Sequence, residues 1–180
     1  GEVMVGISVT EPDYGSDVAS VKCRAERGSV DGEDGWVING AKAWCTFAGR
    51  ANALAVLCRT DPDLSKGRRG LSLLIVPKEQ ATGHTFETVQ AGGGRVVGKA
   101  DATPGYRGMH SFTLNFENYF VPAANLVGLE AGLGKGFYLQ MAGFAAGRLQ
   151  TSGRGCGVAQ GALEETAKYV VDRAQFGQPL

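Results

Sequence analysis

The chain has 180 residues, of which 43% are hydrophobic, and this is enough to build the core of one or two ordinary domains. Its 18 basic and 18 acidic residues give a formal net charge of zero, which excludes the electrostatic footprint of a general binder of nucleic acids or anionic membranes. No apolar run reaches the roughly 18 residues that span a bilayer, and the opening residues lack the pattern of a signal peptide. We therefore expect a soluble, cytoplasmic protein with neither nucleic acid nor membrane as a partner.

The first part of the chain predicts β structure, because short alternating or apolar runs are separated by Gly, Asp, Asn and Pro. An apolar run at residues 3–9 comes first. Residues 35–38 then lead into Asn39-Gly40 and into residues 41–46, which is the usual signature of a tight hairpin. Strands are also predicted at residues 20–26, 53–59, 71–76, 84–89 and 111–116, with a charged loop at 61–70. Their spacing is typical of an antiparallel β-sandwich or barrel.

After Pro122 the pattern becomes helical. Apolar residues recur at helical spacing over residues 136–150 and 154–173, which predicts two helices or one bent helix. The fold class that follows is α+β, an antiparallel β domain followed by the first helices of an α-helical bundle. We place the β domain at residues 1–122, a linker at 123–136 and the start of the helical domain at 137–180. The opening at Gly1 without a methionine also predicts a piece of a longer protein.

The four cysteines indicate buried thiols rather than a metal site. They are widely spaced, no C-x-x-C pair occurs, and His84 and His110 do not complete a zinc site. Three of the cysteines lie in apolar runs, where a free thiol behaves as a small hydrophobe. We therefore expect no bound metal and a reducing compartment. The cysteines are Cys23, Cys45, Cys58 and Cys156.

Glycines in the helical part leave two interpretations open. Gly153, Gly157 and Gly161 recur every fourth residue, so one helix face lacks side chains and either another helix or a ligand can approach it. Residues 155–161 do not follow a predicted strand, and this excludes a Rossmann fingerprint. The glycines at 92–94 lack the Lys and Ser/Thr of a phosphate loop, so we interpret them as a turn.

Residues 9–17, VTEPDYGSD, concentrate hydroxyls, a glycine and carboxylates in one turn after an apolar run. A turn capped by its own Ser and Asp side chains would have the same composition, so a functional and a purely structural interpretation both stand at this point. Further on, AWCT ends a predicted strand, where period two places Trp44 and Thr46 on the same side of the sheet.

Several segments together resemble the acyl-CoA dehydrogenase flavoprotein family. They are VTEPDYGSDVAS, WVINGAKAWCTFAGRANALAVLCRT, GLSLLIVPK, FENYFVP, GRLQTSGRGCGVAQGAL and DRAQFGQPL, and they extend over essentially the whole chain. In that family a subunit consists of a helical domain, a central β domain and a C-terminal helical bundle. The resemblance implies that this chain is the middle domain and the opening helices of the third.

The same resemblance implies a chemistry and its partners. Family members bind FAD, take the α-proton of an acyl-CoA thioester with a carboxylate base, and pass the β-hydrogen as hydride to flavin N5. The electrons then go to an electron-transfer flavoprotein. Subunits assemble as homodimers or homotetramers, so we expect one of these states here.

The family's flavin-binding positions fall in two segments of this chain. Main-chain and hydroxyl groups of residues 7–16 would hold the flavin, with Thr10 at the pyrimidine side and Ser16 near the pyrophosphate and the acyl-CoA. Trp44 would flank the isoalloxazine ring, and Thr46 would donate its hydroxyl toward N5, which favours the electron-rich reduced ring. The cofactor-binding residues implied here are Ile7, Val9, Thr10, Gly15, Ser16, Trp44, Cys45 and Thr46.

Toward the C-terminus the resemblance implies a CoA contact and a subunit contact. Arg148 matches an arginine that contacts the CoA part of the substrate, and Phe144 lines the same channel one turn earlier. Arg173, Gln175 and Phe176 match a segment that reaches the flavin pyrophosphate of a neighbouring subunit. A solvated helix end with a basic residue that favours the helix dipole is the alternative for these three.

The catalytic base is not identified within the chain. Family members place this glutamate either directly before the arginine that matches Arg148 or far downstream, and here Gly147 precedes it. We therefore expect the base beyond Leu180. Glu11, Asp13 and Asp17 lie in the proposed flavin turn, and we interpret them as turn and capping groups.

The segment GRVVGKADATPGYRGMHSFTLNFENYFVP is similar to a branch of the family that acts on a branched dicarboxylic acyl-CoA. A buried distal carboxylate needs a cation, and the local candidates are Lys99, Arg107 and His110. An acyl-CoA oxidase, or a flavin-binding module without catalysis, would present the same motifs.

Overall fold

The computed structural model describes residues 1–105 and 108–180, and these divide into two compact units, Gly1–Gln140 and Met141–Leu180. The first unit is built on one eight-stranded sheet among its described residues. The strands are β1 Val5–Ser8, β2 Arg24–Val30, β3 Glu33–Thr46, β4 Ala53–Arg59, β5 Leu71–Pro77, β6 Thr85–Val89, β7 Arg95–Ala100 and β8 Ser111–Pro122.

The sheet is mixed rather than wholly antiparallel. Its order is β1-β4-β2-β3-β8-β7-β6, with β5 paired to β4. The pairs of β3 with β2 and β8 are antiparallel, as predicted. So are the pairs of β7, a strand that was not predicted, with β6 and β8, but β4 runs parallel to β1 and to β2. The long excursion through β2 and β3 brings the chain back in the same direction, which parallel pairing requires. The α+β class is confirmed, and the purely antiparallel sheet is wrong for these two pairs.

The hairpin predicted at Asn39-Gly40 is also wrong. The tight turn lies at Asp31 and Gly32, where both residues have positive φ, 52° and 82°, and the closing pair is Val30 and Glu33. β3 continues without a turn through Gly40, whose φ is 137° and where an added Cβ would lie 2.7 Å from the Cα of Cys23. The close approach of two segments of the same chain therefore explains the glycine at position 40.

The core is a single cluster of buried side chains from most of the strands. Cys23, Cys45 and Cys58 are buried free thiols, as predicted, and burial raises the pKa of Cys45 to about 11. Cys156 is exposed in the second unit, which differs from the prediction of buried thiols. The largest fully buried side chains include Trp36, Phe116, Ile38, Leu54 and Leu57.

One continuous helix, α1 Gly136–Asp172, follows two short 3-10 turns, Ala123–Asn125 and Leu129–Gly132. It is a single helix, the second of the two alternatives left open by the sequence. An added Cβ at Gly153, Gly157 or Gly161 meets nothing within 4 Å, so no other described residue packs on that face. None of the described helices combines the length and apolarity needed to cross a membrane.

A short hairpin, β9 Ala174–Gln175 with β10 Gln178–Pro179, closes the chain. The two strands pair antiparallel around Phe176 and Gly177, whose φ values of 54° and 80° are both positive. This is the arrangement that a two-residue hairpin turn requires.

Lys78, directly after β5, is buried without a carboxylate among its described contacts. Its side chain is 8% exposed, and its Nζ donates to the carbonyl oxygens of Gly49 at 2.9 Å, Ala51 at 3.0 Å and Glu79 at 2.5 Å. The Nζ also lies 4.6 Å from the centre of the Phe86 ring. Burial lowers the pKa of Lys78 to about 8.

This pKa predicts a pH dependence of stability. Between pH 8 and the usual lysine pKa of 10.5, the unfolded chain keeps the Lys78 proton that the folded chain has released, so the free energy of unfolding gains a contribution as pH rises. We expect the difference in free energy of unfolding between wild type and Lys78→Met to shift in favour of wild type between pH 7.5 and pH 10. Denaturant unfolding of both proteins at the two pH values measures this shift. Lys66→Met is the control, because Asp61 raises the pKa of Lys66 and gives the opposite sign. A wild-type advantage that falls across this range would contradict the assignment.

Candidate functional site

The turn after β1 lies against the C-terminal part of β3. The backbone N–H of Ala43 donates to the carbonyl oxygen of Thr10 at 2.8 Å, which joins the two segments. Within the turn, Glu11 and Tyr14 exchange backbone hydrogen bonds of 3.0 and 3.2 Å. The structure therefore brings together the two segments that the resemblance identified, residues 7–16 and 44–46.

The turn presents a mixture of apolar and hydroxyl groups to solvent. On β1 burial alternates, so Ser8 is fully buried and Ile7 is 52% exposed. The side chain of Val9 is buried, Thr10 is half-buried, and Gly15 and Ser16 are exposed at the end of the turn. Ligand contacts of Val9 are thus limited to its main chain.

A β-bulge places Trp44 outside the sheet. In the pairing of β3 with β8, Lys42 opposes Leu114 and Cys45 opposes Phe112, so Ala43 and Trp44 together oppose one residue. Trp44 has a φ of 58° and is 61% exposed, although it is a large aromatic residue. Bulges of this kind redirect a side chain and are frequent beside active sites. The sequence predicted the position of this indole but not the bulge that exposes it.

The residues that follow Trp44 differ in accessibility. Cys45 is fully buried, and its Sγ lies 3.1 Å from the Oγ of Ser8. Thr46 is half-buried, and its Oγ1 lies 3.4 Å from the Oγ of Ser111, which is a long contact for two hydroxyls. The Thr46 hydroxyl therefore keeps capacity to donate to a ligand.

A buried ion pair underlies the turn. Oε1 of Glu11 lies 2.9 Å from Nζ of Lys42, and the two side chains are 6% and 0% exposed. Glu11 also accepts hydrogen bonds from the backbone N–H groups of Lys22 and Cys23, each at 2.8 Å. Sequence reasoning placed Glu11 in the turn but missed Lys42, although a lysine between alanines in a predicted strand was a visible signal.

The other two carboxylates of the turn lie in different surroundings. Asp13 is exposed, and so is Asp17. Asp17 precedes the 3-10 turn Val18–Ser20, but its side chain makes no capping hydrogen bond there, so the capping interpretation is wrong for this residue. Close by, Nζ of Lys22 lies 5.2 Å from the centre of the Tyr14 ring, and its hydrogen bond to Tyr14 raises the pKa of Lys22.

The structure describes two of the three cations suggested for a distal carboxylate. Lys99 is exposed on β7, and Arg107 lies outside the described residues. The ring of His110 lies 4.6 Å from that of His84, and both line a cleft of about 340 Å³ that also contains Asp101. Asp101 accepts a hydrogen bond from Thr113, while its Oδ2 is buried with no partner among the described residues.

The second unit carries the remaining predicted positions. On α1 the Cζ of Arg148 lies 6.0 Å from the centre of the Phe144 ring, one turn away, and Gly147 intervenes. Arg173 and Gln175 are exposed, and Phe176, at the tip of the β9–β10 hairpin, is completely exposed. Gln175 and Phe176 therefore lie on a hairpin after the helix, whereas Arg173 lies at the helix end, where its N–H donates to the carbonyl oxygen of Tyr169 at 2.9 Å.

Comparisons with known proteins agree with this arrangement. The family profile described as acyl-CoA dehydrogenase, middle domain, matches residues 6–119, and the one described as acyl-CoA dehydrogenase, C-terminal domain, matches residues 134–180. Among solved structures, an acyl-CoA dehydrogenase complexed with FAD from Bacillus anthracis is 27% identical, with a TM-score of 0.73 over 97% of this chain and 26% of that chain.

Curated relatives match along the whole chain. A (2S)-methylsuccinyl-CoA dehydrogenase from Cereibacter sphaeroides is 38% identical, and a mitochondrial 2-methylacyl-CoA dehydrogenase from Solanum tuberosum is 39% identical, each over 100% of this chain. The chain spans 31% and 39% of the length of these two relatives. On the match of both family profiles, the chain belongs to the acyl-CoA dehydrogenase family.

Proposed function

We propose that this chain forms the flavin-binding part of an FAD-dependent acyl-CoA dehydrogenase, which introduces an α,β double bond into an acyl-CoA thioester. The observation that carries the proposal is the bulge of β3, which exposes Trp44 beside the Thr46 hydroxyl and next to the hydroxyl-bearing turn of residues 10–16. Bound FAD supplies the two-electron oxidant.

The described residues fit a flavin. A flat aromatic ring system with polar edges needs an apolar face and a few directed hydrogen-bonding groups. Ile7 and Trp44 offer exposed apolar surface, and Thr10, Ser16 and Thr46 offer hydroxyls. Val9 and Cys45 have buried side chains, so they contribute main-chain groups, and the exposed Gly15 lets the ligand approach the backbone closely.

The substrate and the neighbouring subunit use other positions in this proposal. Ser16, Phe144 and Arg148 contact the acyl-CoA, since an arginine suits a phosphate-bearing ligand. Arg173, Gln175 and Phe176 reach the FAD pyrophosphate of a second subunit in a homodimer or homotetramer. We further propose a cytoplasmic enzyme that passes its electrons to an electron-transfer flavoprotein.

The base that takes the α-proton lies, in this proposal, beyond Leu180. Gly147 has no side chain at one of the two family positions. Glu11, the one buried carboxylate of the turn, is already bound to Lys42 and to two backbone N–H groups, so it cannot reach a substrate carbon. The described residues therefore bind and orient, and the proton transfer belongs to another part of the protein.

For the substrate we propose methylsuccinyl-CoA, which would be converted to mesaconyl-CoA. Support comes from the resemblance of residues 94–122 and from the 38% identity to a (2S)-methylsuccinyl-CoA dehydrogenase. The relative described as a 2-methylacyl-CoA dehydrogenase is equally similar, so an uncharged branched acyl-CoA is the comparison that the experiment needs.

The proposed activity is tested by the absorbance of the full-length flavoprotein. Addition of methylsuccinyl-CoA without oxygen should bleach the flavin band, and an uncharged 2-methylacyl-CoA should bleach it more slowly. Rapid recolouring in air would instead identify an acyl-CoA oxidase. A flavin band that no acyl-CoA changes would identify a flavin-binding module without catalysis.

Replacement of Thr46 by valine should weaken FAD binding or slow reduction while the fold is retained. Valine keeps the shape but removes the proposed donor to N5, and one such hydrogen bond contributes about 1 to 3 kcal/mol. Thr85→Val, on the exposed face of β6, is the matched control and should change neither quantity. Unchanged FAD affinity and reduction rate in Thr46→Val would remove Thr46 from the site.

Arg173→Glu should lower FAD retention in the oligomer, because it replaces an attraction for pyrophosphate by a repulsion. Arg173→Lys keeps the charge and should retain most of the FAD. The difference between the two variants should shrink as salt is raised, since exposed charges are screened. Equal FAD occupancy in wild type and Arg173→Glu at every salt concentration would show that the Arg173 side chain only faces solvent.

A further inference from the structure

The ion pair of Glu11 and Lys42 is exceptional among the described residues. Its side chains are 6% and 0% exposed, whereas every other ion pair of the described chain has side chains at least 30% exposed. A buried ion pair is weak evidence for stability, because apolar residues of similar volume are often as stable or more so. Its retention at this place therefore calls for a geometric explanation.

The pair connects three segments of the chain. Glu11 belongs to the turn of residues 10–16, and Lys42 belongs to β3. The backbone N–H groups that donate to Glu11 are those of Lys22 and Cys23, which directly precede β2. Nζ of Lys42 also donates to the carbonyl oxygen of Val9 at 2.9 Å. One carboxylate and one ammonium thus fix the turn to β3 and to the entry of β2.

Both partners adjoin the residues assigned to FAD. Glu11 follows Thr10, and Lys42 precedes the bulge that exposes Trp44. Resting on the proposed function, we infer that Glu11 and Lys42 are positioning residues, which hold the turn of residues 10–16 at a fixed spacing from residues 44–46 before FAD binds. A site that is ordered in advance loses less entropy when its ligand arrives.

The other contacts of the turn cannot set this spacing alone. The hydrogen bonds between Glu11 and Tyr14 are internal to the turn. The bond from the Ala43 N–H to the Thr10 carbonyl is a single backbone contact between the two segments. Without the ion pair the turn would be attached to β3 through this bond, through the contact of Ser8 Oγ with Cys45 Sγ at 3.1 Å directly before the turn, and through its own chain ends.

The test is the double variant Glu11→Gln with Lys42→Met. Gln keeps an oxygen that accepts a backbone hydrogen bond, Met keeps an unbranched side chain, and no unpaired charge is left in the interior. The matched control is Glu165→Gln with Lys168→Met, the same substitutions at an exposed pair on α1 whose charged atoms lie 2.6 Å apart. The full-length protein is compared for its thermal unfolding midpoint, for hydrogen exchange of the Ala43 amide without FAD, and for its dissociation constant for FAD.

We expect the double variant at 11 and 42 to stay folded, to exchange the Ala43 amide faster than wild type, and to bind FAD about tenfold more weakly. The control should match wild type in all three measurements. Unchanged FAD affinity, or unchanged Ala43 exchange, would overturn the inference. A purely structural role is identified if FAD affinity per folded molecule is unchanged while the midpoint falls.

If the double variant does not fold, the single variant Glu11→Asp tests the same inference. It keeps both charges but retracts the carboxylate by one methylene, so the turn should shift and FAD affinity should fall with the fold intact. Wild-type affinity in a folded Glu11→Asp would overturn the inference. Failure of the proposed function is distinguishable, because the wild type would then bind no FAD, while Ala43 exchange would still report whether the pair holds the turn.

Discussion

The 14-residue strand β3 pairs with β2 through residues 33–39 and with β8 through residues 35–46, and its register with β8 breaks twice. At the first break β8 carries the extra residue, opposite Asn39. At the second break β3 carries it, at Ala43 and Trp44. The three residues between the breaks include Lys42, which the sheet turns fully inward. The candidate flavin site depends on this strand. In a regular strand residues 42 and 44 would face the same side, but the bulge at Ala43 and Trp44 leaves Lys42 buried against the turn and Trp44 exposed.

The two buried lysines of the first unit show different ways of compensating a charge. Lys42 has a carboxylate at 2.9 Å and one carbonyl oxygen, whereas Lys78 has carbonyl oxygens and the face of an aromatic ring. Carbonyl dipoles stabilise a cation less than a full negative charge does, and burial accordingly lowers the pKa of Lys78. Lys42 thereby pairs with Glu11, while Lys78 binds the carbonyl oxygens of Gly49 and Ala51 in the turn that follows β3.

The sequence predicts regular strands better than it predicts their irregularities. Residues 53–59 coincide with β4, because a continuous apolar run at the centre of a sheet has few other solutions. The hairpin prediction at Asn39-Gly40 failed because this dipeptide suits a tight turn, while its glycine also suits a strand whose backbone passes close to Cys23. β7 was missed because Gly98 and two charges interrupt its apolar pattern, yet Gly98 is required, since an added Cβ would meet the ring of Phe86. Such reasons lie in tertiary contacts that a local pattern does not contain.

The surroundings of His110 likewise depend on tertiary contacts that the local sequence does not contain. Residue types near His110 indicated a cation for a distal carboxylate, but folding adds Asp101 to the same cleft, with one oxygen that has no hydrogen-bond partner among the described residues. A second carboxylate at that place is repelled by the first unless a cation lies between them. His84 and His110, whose ring centres lie 4.6 Å apart, line the same cleft. The dicarboxylic substrate proposed above would therefore need charge compensation at this cleft, which a neutral branched acyl group would not need.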